Sequence, residues 1–189
     1  MSETDYKILG VDPGTNVLGY ALIEVKNKKI SFVTMGVIKL TKFKEHHDKL
    51  REIFLDLQEI IETYLPTVLA VEAPFYGKNV QSMLKLGRAQ GVSMAAAITM
   101  GLDIAEYAPK KIKMSITGNG NASKEQVAAM LENILKIKIG DQPLDATDAL
   151  GAAVTHYNQS NSLFGNKTKY KDWSSFVKNN PARKSKLNK

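Results

Sequence analysis

The chain has 189 residues, 43% of them hydrophobic, a net charge of +7, three histidines and no cysteine. That length suits one domain with a full core, the composition is that of a folded chain, and disulfides, thiolate zinc sites and a cysteine nucleophile are excluded. No run approaches 18 uninterrupted apolar residues and "MSETDYK" lacks a signal-like apolar core, so a cytoplasmic protein with no membrane partner is expected.

In chain order, residues 6–12 read as a strand, "GTN" as a turn, 17–25 as a second strand and 29–40 as a third, an antiparallel meander. From about Lys44 to Tyr64 the period becomes helical, with Leu50, Ile53, Phe54, Leu57, Ile60 and Ile61 on one face and Pro66 ending the run. "TVLAVEAP" is apolar enough for a buried parallel strand. Residues 80–100 form a helix rich in Gly, Ala, Ser and Met, suited to a tight core or to a subunit interface. "LDIAEYAP" is a further strand, followed by the basic segment "KKIKMSIT" and the turn "GNGNAS". Ser123 with Gln126 makes a capping box, so a helix starts there, with Val127, Met130, Leu131, Ile134 and Leu135 as its buried stripe. "DATDALGAAVTHYNQ" is the last helix. The class is α/β, a mixed sheet with helices on both faces, over one domain at 1–160. Residues 161–189 form a basic tail, expected to be flexible. From Asn166 it holds eight Lys or Arg against one acid, and Trp173 and Phe176 are candidates to dock its first half. It suits solubilisation or an auxiliary DNA- or partner-binding arm.

Four carboxylates stand out by position. Asp12 ends the first strand and Glu72 the fourth, while Asp145 and Asp148, at i and i+3, share one face of a helix in its first turn. Each alone has a plainer use: an Asx-turn for Asp12, a strand end meeting solvent for Glu72, a helix cap for either aspartate. Together, if the two strands are neighbours, they converge and repel one another unless cations neutralise them. With so few histidines and no thiols the ligands must be oxygens, which points to magnesium or manganese. Two such ions also suit in-line phosphodiester hydrolysis.

Basic and aromatic residues surround these acids in sequence. Phe75, three residues beyond Glu72, could stack on an unpaired base or simply pack, with Lys78 near the backbone. Lys110, Lys111 and Lys113 form a cluster, and Lys124 sits at a helix start where backbone amides can hold phosphate. Lys85 and Arg88 are further phosphate-contact candidates.

"GVDPGTNVLGYALIEV", "AVEAPFYGKNVQSMLKLGRAQGV" and "DATDALGAAVTHY" resemble, in order and from about Tyr6 to His156, the RuvC family of bacterial Holliday-junction resolvases. The resemblance implies a ribonuclease-H-like fold on a mixed five-stranded sheet. It implies a homodimer and a Mg²⁺-dependent endonuclease with two ions per site, for which Mn²⁺ can substitute. The activity implied is paired symmetric nicking of a four-way DNA junction, leaving 5′-phosphates, in recombination and repair. The family's catalytic, metal-binding acids map onto Asp12, Glu72, Asp145 and Asp148; some relatives have histidine at the third place, where this chain has aspartate. The matching phenylalanine inserts near the junction centre, which favours Phe75 as a DNA contact over Tyr76, a variable position. Lys113 and Lys124 align with lysines implicated in DNA binding or catalysis. The helix at 80–100 is implied at the dimer interface, the RuvA–RuvB branch-migration complex as a partner, and the nucleoid as the place of action. The rival reading is an actin-like kinase or ATPase fragment, whose first phosphate loop also runs strand, Asp, Gly, Thr and hairpin; this chain carries only one such unit. A catalytically inactive junction-binding protein is a second rival, against which all four acids speak.

Overall fold

β1 (Tyr6–Asp12), β2 (Val17–Lys26) and β3 (Lys29–Lys39) form the expected meander. The computed structural model describes residues 5–74, 79–140 and 142–160, so Phe75, Lys78 and the segment 161–189 lie outside the described residues. β1 pairs antiparallel with β2, placing Asp12 opposite Gly19. β2 turns into β3 through Asn27 and Lys28, both at positive φ (49° and 60°), the geometry that a tight hairpin demands.

α1 (His46–Tyr64) ends at Leu65, whose φ of 54° breaks the helix one residue before Pro66. β4 (Val68–Glu72) then pairs parallel with β1, Val71 lying beside Val11. α2 (Val80–Thr99) carries the chain to β5 (Asp103–Tyr107), parallel to β4. The five-stranded order is β3-β2-β1-β4-β5, so β1 and β4 are central neighbours.

α3 (Pro109–Thr117) was not expected; the segment reads as basic rather than helical. Its signals are Pro109 at the helix start, Ile112 and Ile116 one turn apart on the buried face, and Gly118 at φ 74° as the C-terminal stop. α4 (Lys124–Leu135) has the reciprocal capping box of Ser123 and Gln126. Its buried stripe is narrower than the sequence pattern suggests. Val127, Leu131 and Leu135 are buried, but Met130 and Ile134 are 38% and 37% exposed, because α4 packs along a single ridge and the i+3 positions turn outward. α5 (Leu144–Ser160) completes the chain of elements. Among the described residues no helix is long and apolar enough to cross a membrane.

Alternating strand residues feed two cores. Leu9, Val11, Leu22, Leu69 and Val71 face α1 and α2, while Ile8, Ala21, Ile23 and Ala70 face α3, α4 and α5. Helices thus cover both sides of the sheet. The α5 side is unusually close, with Ala146, Ala149, Ala152 and Ala153 fully buried. A Cβ at Gly10 would lie 2.0 Å from the Ala149 carbonyl oxygen, and one at Gly19 would lie 1.9 Å from that of Asp145. Helix backbone rests directly on sheet backbone.

Gly19→Ala therefore has no side chain to push aside and must displace α5 itself. It is expected to lose about 3 kcal/mol or more in urea unfolding, at the upper end of overpacking costs. A loss below about 1 kcal/mol, the range of ordinary substitutions, would mean that α5 shifts freely.

Candidate active site

Asp12 is the last residue of β1 and Glu72 the last of β4, and the parallel pairing of these strands brings both carboxylates out at the same sheet edge. α5 begins against Gly19, the β-ladder partner of Asp12, which places its first-turn acids Asp145 and Asp148 at that edge too. The four predicted acids stand at one sheet edge, where Asp148 bears on both Asp12 and Glu72. Burial, then the charges of Asp148 and Asp145, push the Asp12 carboxyl up to about 7, with Lys124 opposing. Burial, then Asp12 and Asp148, push Glu72 up to about 8, with Lys124 and Lys113 opposing. A cleft of about 640 Å³ opens over Asp12, Glu72 and Asp148, whereas Asp145 acts on Asp12 from outside its lining.

The basic wall comes from α3 and α4. Lys124, the first residue of α4, hydrogen-bonds the Oδ2 of Asp148 and forms an ion pair with it. Burial works against the charge of Lys124, yet the hydrogen bond and charge of Asp148, joined by Asp12 and Asp145, raise its pKa above the ordinary lysine value. Lys110 and Lys113 line the cleft, but Lys111 turns away, its Nζ 5.3 Å from the centre of the Tyr107 ring. Lys85 and Arg88 stand on the exposed side of α2, outside the cleft lining.

Two contributors went unnoticed in the sequence. Asn121, inside the "GNGNAS" turn, lines the cleft; a turn ahead of a capping box was the available signal. Lys49 clamps the β1–β2 turn: its Nζ donates to the Thr15 carbonyl and to Asn16 Oδ1, both at 3.0 Å. The Leu40 amide donates to the Asn16 carbonyl at 2.8 Å from the other side. The turn that follows Asp12 is thereby held from α1 and from the end of β3. No local pattern announces a lysine that acts across 34 positions.

The donor set, all carboxylate oxygens, has the chemistry of a hard divalent cation site, and two of its groups are driven toward neutrality by burial first and by neighbouring acids second. In this arrangement no three acids close on one point among the described residues. The Lys124 ammonium is the cation against Asp148.

Both raised values lie above the ordinary 3.8 and 4.5. Between about pH 4 and pH 8 the native chain holds protons that the unfolded chain has released, so the pair's contribution to stability is largest below about pH 4 and declines as pH rises. In urea titrations of chelator-treated protein, the Asp12→Asn/Glu72→Gln double variant should gain on wild type steadily across that window. A constant difference between the two would show that the acids are not proton-linked to folding.

Known proteins bear on what such a site does. The family described as crossover junction endodeoxyribonuclease RuvC matches residues 8–156. A protein of that name from Christiangramia forsetii is 56% identical over 177 residues, covering 93% of this chain and 91% of its own. One from Cytophaga hutchinsonii is 56% identical over 177 residues, covering 94% and 87%. The structure of Thermus thermophilus RuvC in complex with Holliday junction substrate superimposes with a TM-score of 0.76 at 29% identity, covering 82% of this chain and 94% of that one. These matches bear out the ribonuclease-H-like α/β class and disfavour the actin-like kinase reading. The chain belongs to the RuvC family of crossover junction endodeoxyribonucleases.

Proposed function

We propose that this chain resolves four-way DNA junctions by symmetric hydrolysis of two opposed strands, leaving 5′-phosphates, with Asp12, Glu72, Asp145 and Asp148 as its catalytic acids. The observation that carries this reading is their meeting at the ends of β1 and β4 and the start of α5, over a cleft walled by Lys110, Lys113 and Lys124. The T. thermophilus relative seen with a Holliday junction supports the substrate. The four acids would hold two Mg²⁺ ions, with Mn²⁺ able to replace them. Bound there, the ions would supply activation of a water and charge stabilisation of a leaving 3′ oxygen in an in-line displacement.

The chain's own groups then have separate tasks. Asp12 and Glu72 must give up their protons to act as ligands, so site loading favours higher pH. Lys124 holds Asp148 in place before loading and brings positive charge to the scissile phosphate afterwards, with Lys113 beside it. Lys49 anchors the turn after Asp12 to α1. Phe75 and Lys78 are proposed to meet the opened junction centre, and Lys85 and Arg88 to contact phosphates.

A homodimer provides one site per cleaved strand. The exposed side of α2 supports such an interface: Leu84 and Ile98 are 53% and 59% exposed, and Gly87 and Gly91 between them have open space where a side chain would be. The segment 161–189 would serve as an auxiliary DNA- or partner-binding arm, and the RuvA–RuvB complex is the partner that the family suggests. The nucleoid is the corresponding place of action.

Asp148→Asn should lower nicking of a synthetic four-way junction about 100-fold or more while junction affinity stays within about threefold, the signature of a group needed in the transition state. Full activity in that variant would remove the acid from the site. Phe75→Ala should slow cleavage of intact junctions about tenfold, by analogy with loss of a base-stacking contact, and spare junctions built with unpaired centres. Equal slowing on both would make it a packing residue.

A further inference from the structure

A second concave surface lies outside the cleft, between the end of α3 and the outer side of α4. This groove of about 420 Å³ combines the apolar side chains of Ala122, Ala129 and Met130 with the amides of Asn119, Gln126 and Asn133, and none of its lining residues is charged. Met130 is one of the two α4 side chains that periodicity assigns to the core and the structure turns outward; Ile134, one turn on, is the other. Each amide spends one end within the chain. Asn119 Oδ1 accepts from the Asn121 backbone at 3.0 Å and Gln126 Oε1 from that of Ser123 at 2.9 Å, while Asn133 Nδ2 donates to the Ala129 carbonyl at 2.9 Å. The amino groups of Asn119 and Gln126 and the side-chain oxygen of Asn133 have no partner among the described residues. An apolar groove with an uncharged, hydrogen-bonding margin suits a short peptide with aromatic anchors and hydroxyls. A phosphodiester backbone is drawn instead to the lysines of the neighbouring cleft.

The chain itself brings such a peptide to this place. α5 ends at Ser160, and its last turn is fastened to α3: Asn158 Nδ2 donates to the Ser115 carbonyl at 3.3 Å and to its Oγ at 3.2 Å. Ser115 stands two residues before Thr117, which lines the groove. Beyond Ser160 the sequence carries Trp173, Phe176 and Val177 at i, i+3 and i+4, the anchor spacing of an amphipathic peptide. Ser174 and Ser175 lie between them, and 173–177 holds no charge in a stretch otherwise dense in lysine. Leu163 and Phe164, the other apolar pair, are adjacent in sequence and do not share a face. Residues 161–172 can extend to about 40 Å, and α4 is roughly 18 Å long, so the whole groove is within reach.

We propose that the groove between α3 and α4 is the docking site of residues 173–177 of the same chain, with Trp173 and Phe176 as anchors beside Met130 and the two serines toward the amides. Docking there would make the cationic stretch from Lys178 onward leave from the same pair of helices that walls the cleft with lysines. The proposal stands apart from the nuclease reading, because it concerns the free protein.

Trp173 is the only tryptophan in the sequence, so its fluorescence reads the docking directly in the full chain, without DNA or Mg²⁺. Its emission should be blue-shifted, and its quenching by acrylamide weaker, than in Phe176→Asp, which removes an anchor and leaves the groove intact. Ala129→Lys/Met130→Lys, at two exposed positions, should red-shift Trp173 and raise its quenching to the level of that tail variant. Leu55→Lys, at an exposed apolar position on α1, should change neither. Circular dichroism establishes that each variant is folded. A wild-type Trp173 as exposed as in Phe176→Asp would overturn the proposal. So would a Trp173 that stays protected in Ala129→Lys/Met130→Lys, since another surface would then cover it. Protection lost on dilution would assign the groove to the tail of a second copy and overturn docking within one chain.

Discussion

The contact between α5 and the sheet is the constraint on which the site depends. Where Gly10 and Gly19 lack side chains, the carbonyls of Ala149 and Asp145 occupy the space that a Cβ would need. The alanines along α5 keep the two backbones together, and that contact sets where Asp145 and Asp148 stand relative to Asp12. Side-chain packing yields by rotamer changes, but a backbone-on-backbone contact does not, so the carboxylates are held with little freedom to relax apart. The parallel pairing of β1 with β4 does the same for Glu72.

That rigidity is what makes the acids costly. Asp12 is driven toward neutrality chiefly by burial and then by Asp148 and Asp145, Glu72 chiefly by burial and then by Asp12 and Asp148, and Lys124 offsets only part of either shift. The ion pair of Lys124 with Asp148 gives the cluster a cation of its own. On the proposed reading, loading of divalent ions would have to compete with that lysine for Asp148 and with protons for Asp12 and Glu72. Such competition would link stability, pH and activity in one site, and would account for half-buried acids at the strand ends of an α/β core.

What could be read from the sequence followed physical pattern. The meander, the apolar run ending in Glu72, the capping box at Ser123 and the i, i+3 aspartates all carry local signals, and each stands where those signals put it. α3 was missed because Lys110, Lys111 and Lys113 mask its short apolar stripe, leaving Ile112 and Ile116 as a signal too brief to separate from a loop. Met130 and Ile134 were misassigned because periodicity shows which side of a helix is apolar, not how wide a ridge its neighbour offers. Gly10 and Gly19 read as ordinary strand glycines; their role depends on a helix more than 120 positions away. Lys49 and the pairing of Lys124 with Asp148 are likewise tertiary facts.

The central claim is that this one edge, repeated in a symmetric pair, hydrolyses two opposed strands of a four-way junction. Mapping both ends of every nick on synthetic four-way junctions, with and without Mg²⁺, tests it most directly. The account predicts paired nicks at symmetry-related positions, each with a 5′-phosphate, only when the ion is present. Junctions left intact in Mg²⁺ by protein that hydrolyses ATP would contradict it.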